Sequence, residues 1–143
     1  MKKNDTLQDL LRGLYVLSVL SVFLPWFTYN ARMMGYCFGY NFLKWFMIPQ
    51  IIIAVYLIKR KYSTILLALT ELSMVANLVT LVIAFGRWQE TRNIIAGFHW
   101  EDGFRTALPT YWITVAVFFV FFILFQCVEL KRRRIHRHQA AGE

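Results

Sequence analysis

The chain has 143 residues, 58% of them hydrophobic and 17% aromatic, with a formal charge of +8 at pH 7, and its mean hydropathy of +0.46 exceeds what a soluble domain usually carries. Leu, Ile, Val and Phe stand in blocks, each long enough to cross ~30 Å of hydrocarbon at about 1.5 Å per residue, which excludes a water-soluble globule and leaves no room for a separate soluble domain. The positive residues flank these blocks instead of forming a face of their own, so the charge reads as membrane topology and not as a nucleic-acid surface.

In chain order, the N-terminus is polar as far as Gln8, and Leu7, Leu10, Leu11 and Leu14 then recur at helical spacing. Thr6 and Asp9 stand like a capping pair, which predicts a helix start near Leu7. The apolar run from about Leu14 to Phe27 completes a first span over about residues 10–28. Pro25 and Trp26 fall near its far end, where a lost hydrogen bond and an interfacial tryptophan are both tolerated. Thr28 to Arg32 do not supply the Ala-x-Ala pattern of a signal-peptide cleavage site. The loop from Asn30 to Asn41 repeats a Gly-Tyr pair at Gly35-Tyr36 and Gly39-Tyr40, which predicts a compact turn with aromatic anchors at headgroup level.

A second span covers about residues 42–58, with Lys44 able to snorkel outward and a bend expected at Pro49 and Gln50. Lys59, Arg60 and Lys61 follow at once, and a third span over about residues 63–86 begins a few positions later, so the two form a tight antiparallel hairpin. In the longest connection, from Arg87 to Leu108, Trp88, Thr91, Ile94, Ile95 and Phe98 share one face of a possible short helix lying in the interface. Trp88 and Trp100 there read as interface anchors, and His99, Glu101 and Asp102 as a solvated loop, three ligand types within four residues being a weak metal signal. Pro109 opens a fourth span over about residues 109–130, and Lys131, Arg132, Arg133 and Arg134 close it, beginning a basic tail over residues 131–143.

Orientation follows from the positive residues. Lys2, Lys3, Arg12, Lys59, Arg60, Lys61, Lys131, Arg132, Arg133, Arg134 and Arg137 lie on one side of the four spans, and Arg32, Lys44, Arg87, Arg92 and Arg105 on the other, which accounts for all 16. The richer side is the cytoplasm. The expected fold is therefore an all-α integral membrane four-helix bundle, a single domain with both termini cytoplasmic and a short interfacial helix between spans three and four, placed in the cell membrane. On this topology Cys37 and Cys127 face opposite sides of the bilayer, which excludes a disulfide between them within one chain.

Glu71 is the candidate for chemistry, about eight residues into the third span and so roughly 12 Å along the helix. A charge there costs ~2.5 kcal/mol or more, so Glu71 should be neutral or face a partner or water. Thr70, Ser73, Asn77 and Thr80 form a polar stripe beside it, and Gln50 of the second span is its natural partner. Such a stripe serves either as a proton- or ion-responsive path or as hydrogen-bonded helix packing, the commoner use. Phe118, Phe119, Phe121, Phe122 and Phe125 cover most of the fourth helix, so some must face lipid or another subunit. Lys131, Arg132, Arg133, Arg134 and Arg137 are expected to meet anionic lipid headgroups at ~1 kcal/mol per well-placed cation.

Enzyme chemistry lacks its parts: there is no Cys-x-x-Cys pair, no aspartate or histidine within a span, and no Gly-rich phosphate loop. No metal and no cofactor is implied. Four packed helices at interaxial distances of ~8–10 Å fill their own centre. The reading is a non-enzymatic assembly or interaction module, a homo-oligomer or the companion of a membrane protein. The alternative is an oligomeric ion channel or small-solute transporter whose path is lined by the third span around Glu71.

Overall fold

The computed structural model describes residues 2–28, 35–59, 63–89 and 97–140. Among the described residues, five α-helices carry the fold: α1 (Lys2–Ser21), α2 (Leu43–Ile58), α3 (Thr64–Arg87), α4 (Trp100–Thr106) and α5 (Pro109–Ala140). Two short strands, β1 (Pro25–Thr28) and β2 (Tyr36–Phe38), pair antiparallel after α1, and a 3-10 turn over Gly39–Phe42 leads into α2. The architecture is all-α apart from this ribbon. Among the described residues, three helical segments are long and apolar enough to cross a membrane: Gly39–Ile58, Thr64–Arg87 and Pro109–Arg133. The chain is on this ground a membrane protein.

Local chemistry explains where the helices begin and end. α1 starts at Lys2, ahead of the expected Leu7, because no Gly or Pro interrupts the polar segment, and Thr6 sits inside the helix and not at its cap. It stops at Ser21, short of the expected end near residue 28, since Pro25 supplies no N–H and turns the residue before it away from helical backbone. Val22, Phe23 and Leu24 close the end with bonds to Val19, Leu20 and Ser21 carbonyls at 3.3, 3.0 and 3.2 Å. The Trp26 indole N–H then donates to the Ser21 carbonyl at 3.1 Å, so the chain leaves the helix with its last acceptors satisfied. α2 continues through Pro49. At the start of α3, Ser63 caps the helix by accepting from the Leu66 amide at 3.4 Å. Pro109 is the first residue of α5, where a missing N–H costs nothing.

The interior has two apolar layers. The first gathers around the ribbon: Trp26, Phe27, Phe42, Phe46, Leu81, Phe85, Trp88, Tyr111 and Phe118. Trp26 and Trp88 are buried core residues, not interface anchors, and Trp88 stacks on Phe27 with centroids 5.4 Å apart; the predicted loop anchors Tyr36, Tyr40 and Trp100 are exposed. The second layer, toward the basic end, joins Leu11, Ile53, Tyr56, Leu67, Met74, Phe121 and Phe125. Phe118, Phe121 and Phe125 thus point inward while Phe119 faces out. Large apolar side chains also cover the exterior, Ile48, Ile65 and Leu72 each being two-thirds exposed or more, which suits hydrocarbon and not water.

The ribbon is tied to the start of α5. The Leu108 amide donates to the Trp26 carbonyl at 2.8 Å, the Thr110 hydroxyl donates to the Pro25 carbonyl, and the Tyr111 hydroxyl donates to the Leu81 carbonyl at 2.8 Å. α4 packs on α3, beginning from His99, whose amide donates to the Gly86 carbonyl at 2.8 Å. The face of the expected interfacial helix falls largely on Thr91, Ile94 and Ile95, which lie outside the described residues; the short helix observed is the later segment Trp100–Thr106.

Gly39 is required by space. A Cβ there would run into the Trp26 ring and the Val22 carbonyl, and backbone cannot retreat as a flexible side chain can. Gly39→Ala is expected to lower stability by ~1–3 kcal/mol, measured by thermal unfolding in detergent, and a loss should persist in a Gly39→Ala, Trp26→Phe double variant relative to Trp26→Phe alone, because the Val22 carbonyl still meets the added Cβ.

Candidate functional site

The predicted polar stripe of α3 is buried within the bundle: Thr70, Ser73, Asn77 and Thr80 are all inside. Three of them close on their own helix, the hydroxyls of Thr70, Ser73 and Thr80 donating to the carbonyls of Leu66, Leu69 and Ala76 at 2.8, 2.7 and 2.8 Å. Hydroxyls bonded in this way present a small, satisfied surface to neighbouring helices. Asn77 Oδ1 and both polar side-chain amide atoms of Gln50 are buried with no hydrogen-bond partner among the described residues. The Gln50 main chain does join two helices, its carbonyl accepting from the Tyr15 hydroxyl at 3.0 Å.

Glu71 and Gln50 are not partners. Glu71 instead meets Arg133 of α5, Oε1 to Nη2, at 3.0 Å, with the two side chains 34% and 42% exposed. The geometry is possible because α5 does not stop at Leu130 but runs on as a helix through Ala140. Arg133, expected at a lipid headgroup, is thereby committed to a carboxylate. At this exposure the pair is worth at most ~1 kcal/mol. In a double-mutant cycle of Glu71→Gln with Arg133→Gln, the coupling is expected to fall below that value and to shrink further as salt is raised.

A buried carboxylate with its own polar cluster lies elsewhere and is not among the predicted site residues. Glu129 is 3% exposed. Its Oε1 accepts from the Tyr56 hydroxyl of α2 and lies 3.7 Å from Arg132 Nη1, which also donates to the Tyr56 hydroxyl at 3.4 Å. Phe125, one turn before Glu129, packs edge-on to the Tyr56 ring with centroids 5.5 Å apart, so apolar contact above fixes the polar contact below. The second carboxylate oxygen, Oε2, is buried with no hydrogen-bond partner among the described residues. Spacing held the signal: Phe118, Phe121, Phe125 and Glu129 are separated by three, four and four residues, one face of a helix.

Glu129 also lines a cavity of about 360 Å³ at the basic end of the bundle, bounded by Gln8, Asp9, Leu11 and Arg12 of α1, by Tyr56, Leu57 and Lys59 at the end of α2, and by Val128, Glu129 and Arg132 of α5. Arg12 pairs with Asp9 at 3.4 Å on the exposed side. Of the residues expected at headgroups, Lys131 is exposed and Arg132 half-buried, while the side chains of Arg134 and Arg137 lie outside the described residues.

Compared with protein-family models, with curated protein sequences and with solved structures, the chain matches none of them. The class that the fold defines is a helical membrane protein with a packed interior.

Proposed function

We propose that this chain is a non-enzymatic four-span membrane module that assembles with itself or with a membrane protein partner, with both termini cytoplasmic and α1 as the first crossing. The observation that carries the reading is the filled centre beside an apolar exterior. Phe46, Leu81, Phe118, Phe121 and Phe125 occupy the axis, while large apolar side chains face out from every long helix. The second half of α1 shares that pattern, burying Ser18 and Ser21 and exposing Val16, Leu17 and Leu20. α1 also packs along α5, which favours its crossing with the other three. Lys131 and its neighbours at the basic end then lie at the anionic inner headgroups.

The alternative, an oligomeric channel or transporter with a path along α3, draws less support. A pore between chains needs polar side chains on the outside of the bundle, and the stripe of Thr70, Ser73, Asn77 and Thr80 faces inward. Reporter fusions at both termini are expected to signal from the cytoplasm, and a fixed oligomer or a co-purified partner is expected by mass photometry in mild detergent. A strictly monomeric particle without a partner would remove the assembly reading. Proton or ion flux into liposomes, abolished by Glu71→Gln, would turn the choice to the channel.

A further inference from the structure

The cavity at the basic end is lined by charges of both signs, Glu129 and Asp9 with Lys59, Arg12 and Arg132. Its inner wall holds the Glu129 carboxylate, with Oε2 buried and unmatched by any donor among the described residues. Its rim holds Lys59, exposed and without an ion pair among the described residues, and Arg12, whose bond to Asp9 is a long, solvent-exposed contact that an anion can displace. Leu11, Leu57 and Val128 give the space between an apolar lining. A buried acceptor without a donor is costly, and proteins ordinarily supply one. Here the Tyr56 hydroxyl and Arg132 lie against the other oxygen, Oε1, so among the described residues no donor meets Oε2, and a ligand seated in the cavity can supply one.

We propose that this cavity takes a primary-ammonium phosphate zwitterion, the chemistry of ethanolamine phosphate, with its ammonium on Glu129 Oε2 and its phosphate between Lys59 and Arg12. Glu129 lines the cavity wall, so its carboxylate can take a donor there through Oε2 while Oε1 keeps the Tyr56 hydroxyl. A volume of about 360 Å³ lies at the small end of the ~300–1,000 Å³ of small-molecule sites, enough for a headgroup but not for an acyl chain. A quaternary ammonium offers no N–H to the carboxylate, and a glycerol headgroup offers no positive charge. The same chemistry reaches this end of the bundle from two sources, a phospholipid headgroup or free ethanolamine phosphate. The proposal rests on the chain lying in a bilayer, but not on its subunit number or direction of insertion.

Native mass spectrometry of the full chain in detergent tests this, with dioleoyl phosphatidylethanolamine, phosphatidylcholine and phosphatidylglycerol competing at equal concentration. The ethanolamine lipid is expected to be retained over the other two, and Glu129→Gln to weaken it about tenfold, the value of a hydrogen bond to a charged group. Lys59→Ala, an exposed change that leaves the interior intact, is expected to weaken it by a smaller factor, and it keeps the test open should Glu129→Gln fold poorly. Displacement by free ethanolamine phosphate assigns the soluble source as well, and resistance to it assigns the lipid. Equal retention of the three lipids, or binding untouched by both substitutions, overturns the site. Because bound lipids are counted per chain, that failure is separable from a failure of the assembly reading, which the particle mass decides.

Discussion

Trp26→Ala is expected to lower stability by ~3–5 kcal/mol, the largest single effect in the chain. The indole is fully buried and is shared by three elements. It stacks on Phe42 at 6.1 Å, meets Phe46 edge-on at 6.0 Å and meets Tyr111 edge-on at 5.8 Å. Its N–H also caps the Ser21 carbonyl at the end of α1. Truncation therefore opens a cavity where α1, the entry to α2 and the start of α5 meet, and it removes one of the donors to the Ser21 carbonyl, which keeps the Leu24 amide. Trp26→Phe keeps most of the ring contact and loses the bond, for an expected cost of about 1–2 kcal/mol. Thermal unfolding in detergent with both variants separates the two contributions. A loss below about 1 kcal/mol for alanine would mean that the ribbon does not organise this end of the bundle.

The long helices were legible because each carries an apolar run bounded by charge or by a cap that chemistry requires. Ser63 caps α3 and Pro109 opens α5 at the positions that spacing indicates. The end of the first helix was harder to place. Leu14 to Phe27 is continuous in hydropathy, and only the backbone consequence of Pro25 divides it into a helix and a strand. Hydropathy counts side chains, whereas Pro25 acts through a missing N–H. Tryptophans near a span end also carry two meanings, and Trp26 and Trp88 took the buried one because the ribbon folds back over them.

The candidate site divided along similar lines. Glu71 stood out by depth along its helix, yet depth in sequence is not burial, and α5 extends far enough to bring Arg133 to it at 3.0 Å. Glu129 stands two residues before Lys131 and so reads in sequence as part of the charged border. Its burial follows from the face it shares with Phe125 and Phe121, and its hydroxyl partner is set by the pairing of α2 with α5, which no local pattern in the sequence encodes.

That burial makes Glu129 the second position of large effect. Glu129→Ala is expected to cost ~2–3 kcal/mol, because it leaves the Tyr56 hydroxyl without its acceptor and Arg132 without its counter-charge. Tyr56→Phe removes one donor, keeps the ring against Phe125 and is expected to cost about 1 kcal/mol. The two losses should not add, since each change removes the same bond, and a cycle of the single and double variants is expected to show a coupling of about 1 kcal/mol in detergent unfolding. Arg132 is itself partly exposed, so its own truncation should cost less than that of Glu129. The reverse order, with Arg132→Ala the more damaging, would place the anchor of this end on the arginine and leave Glu129 as its accessory.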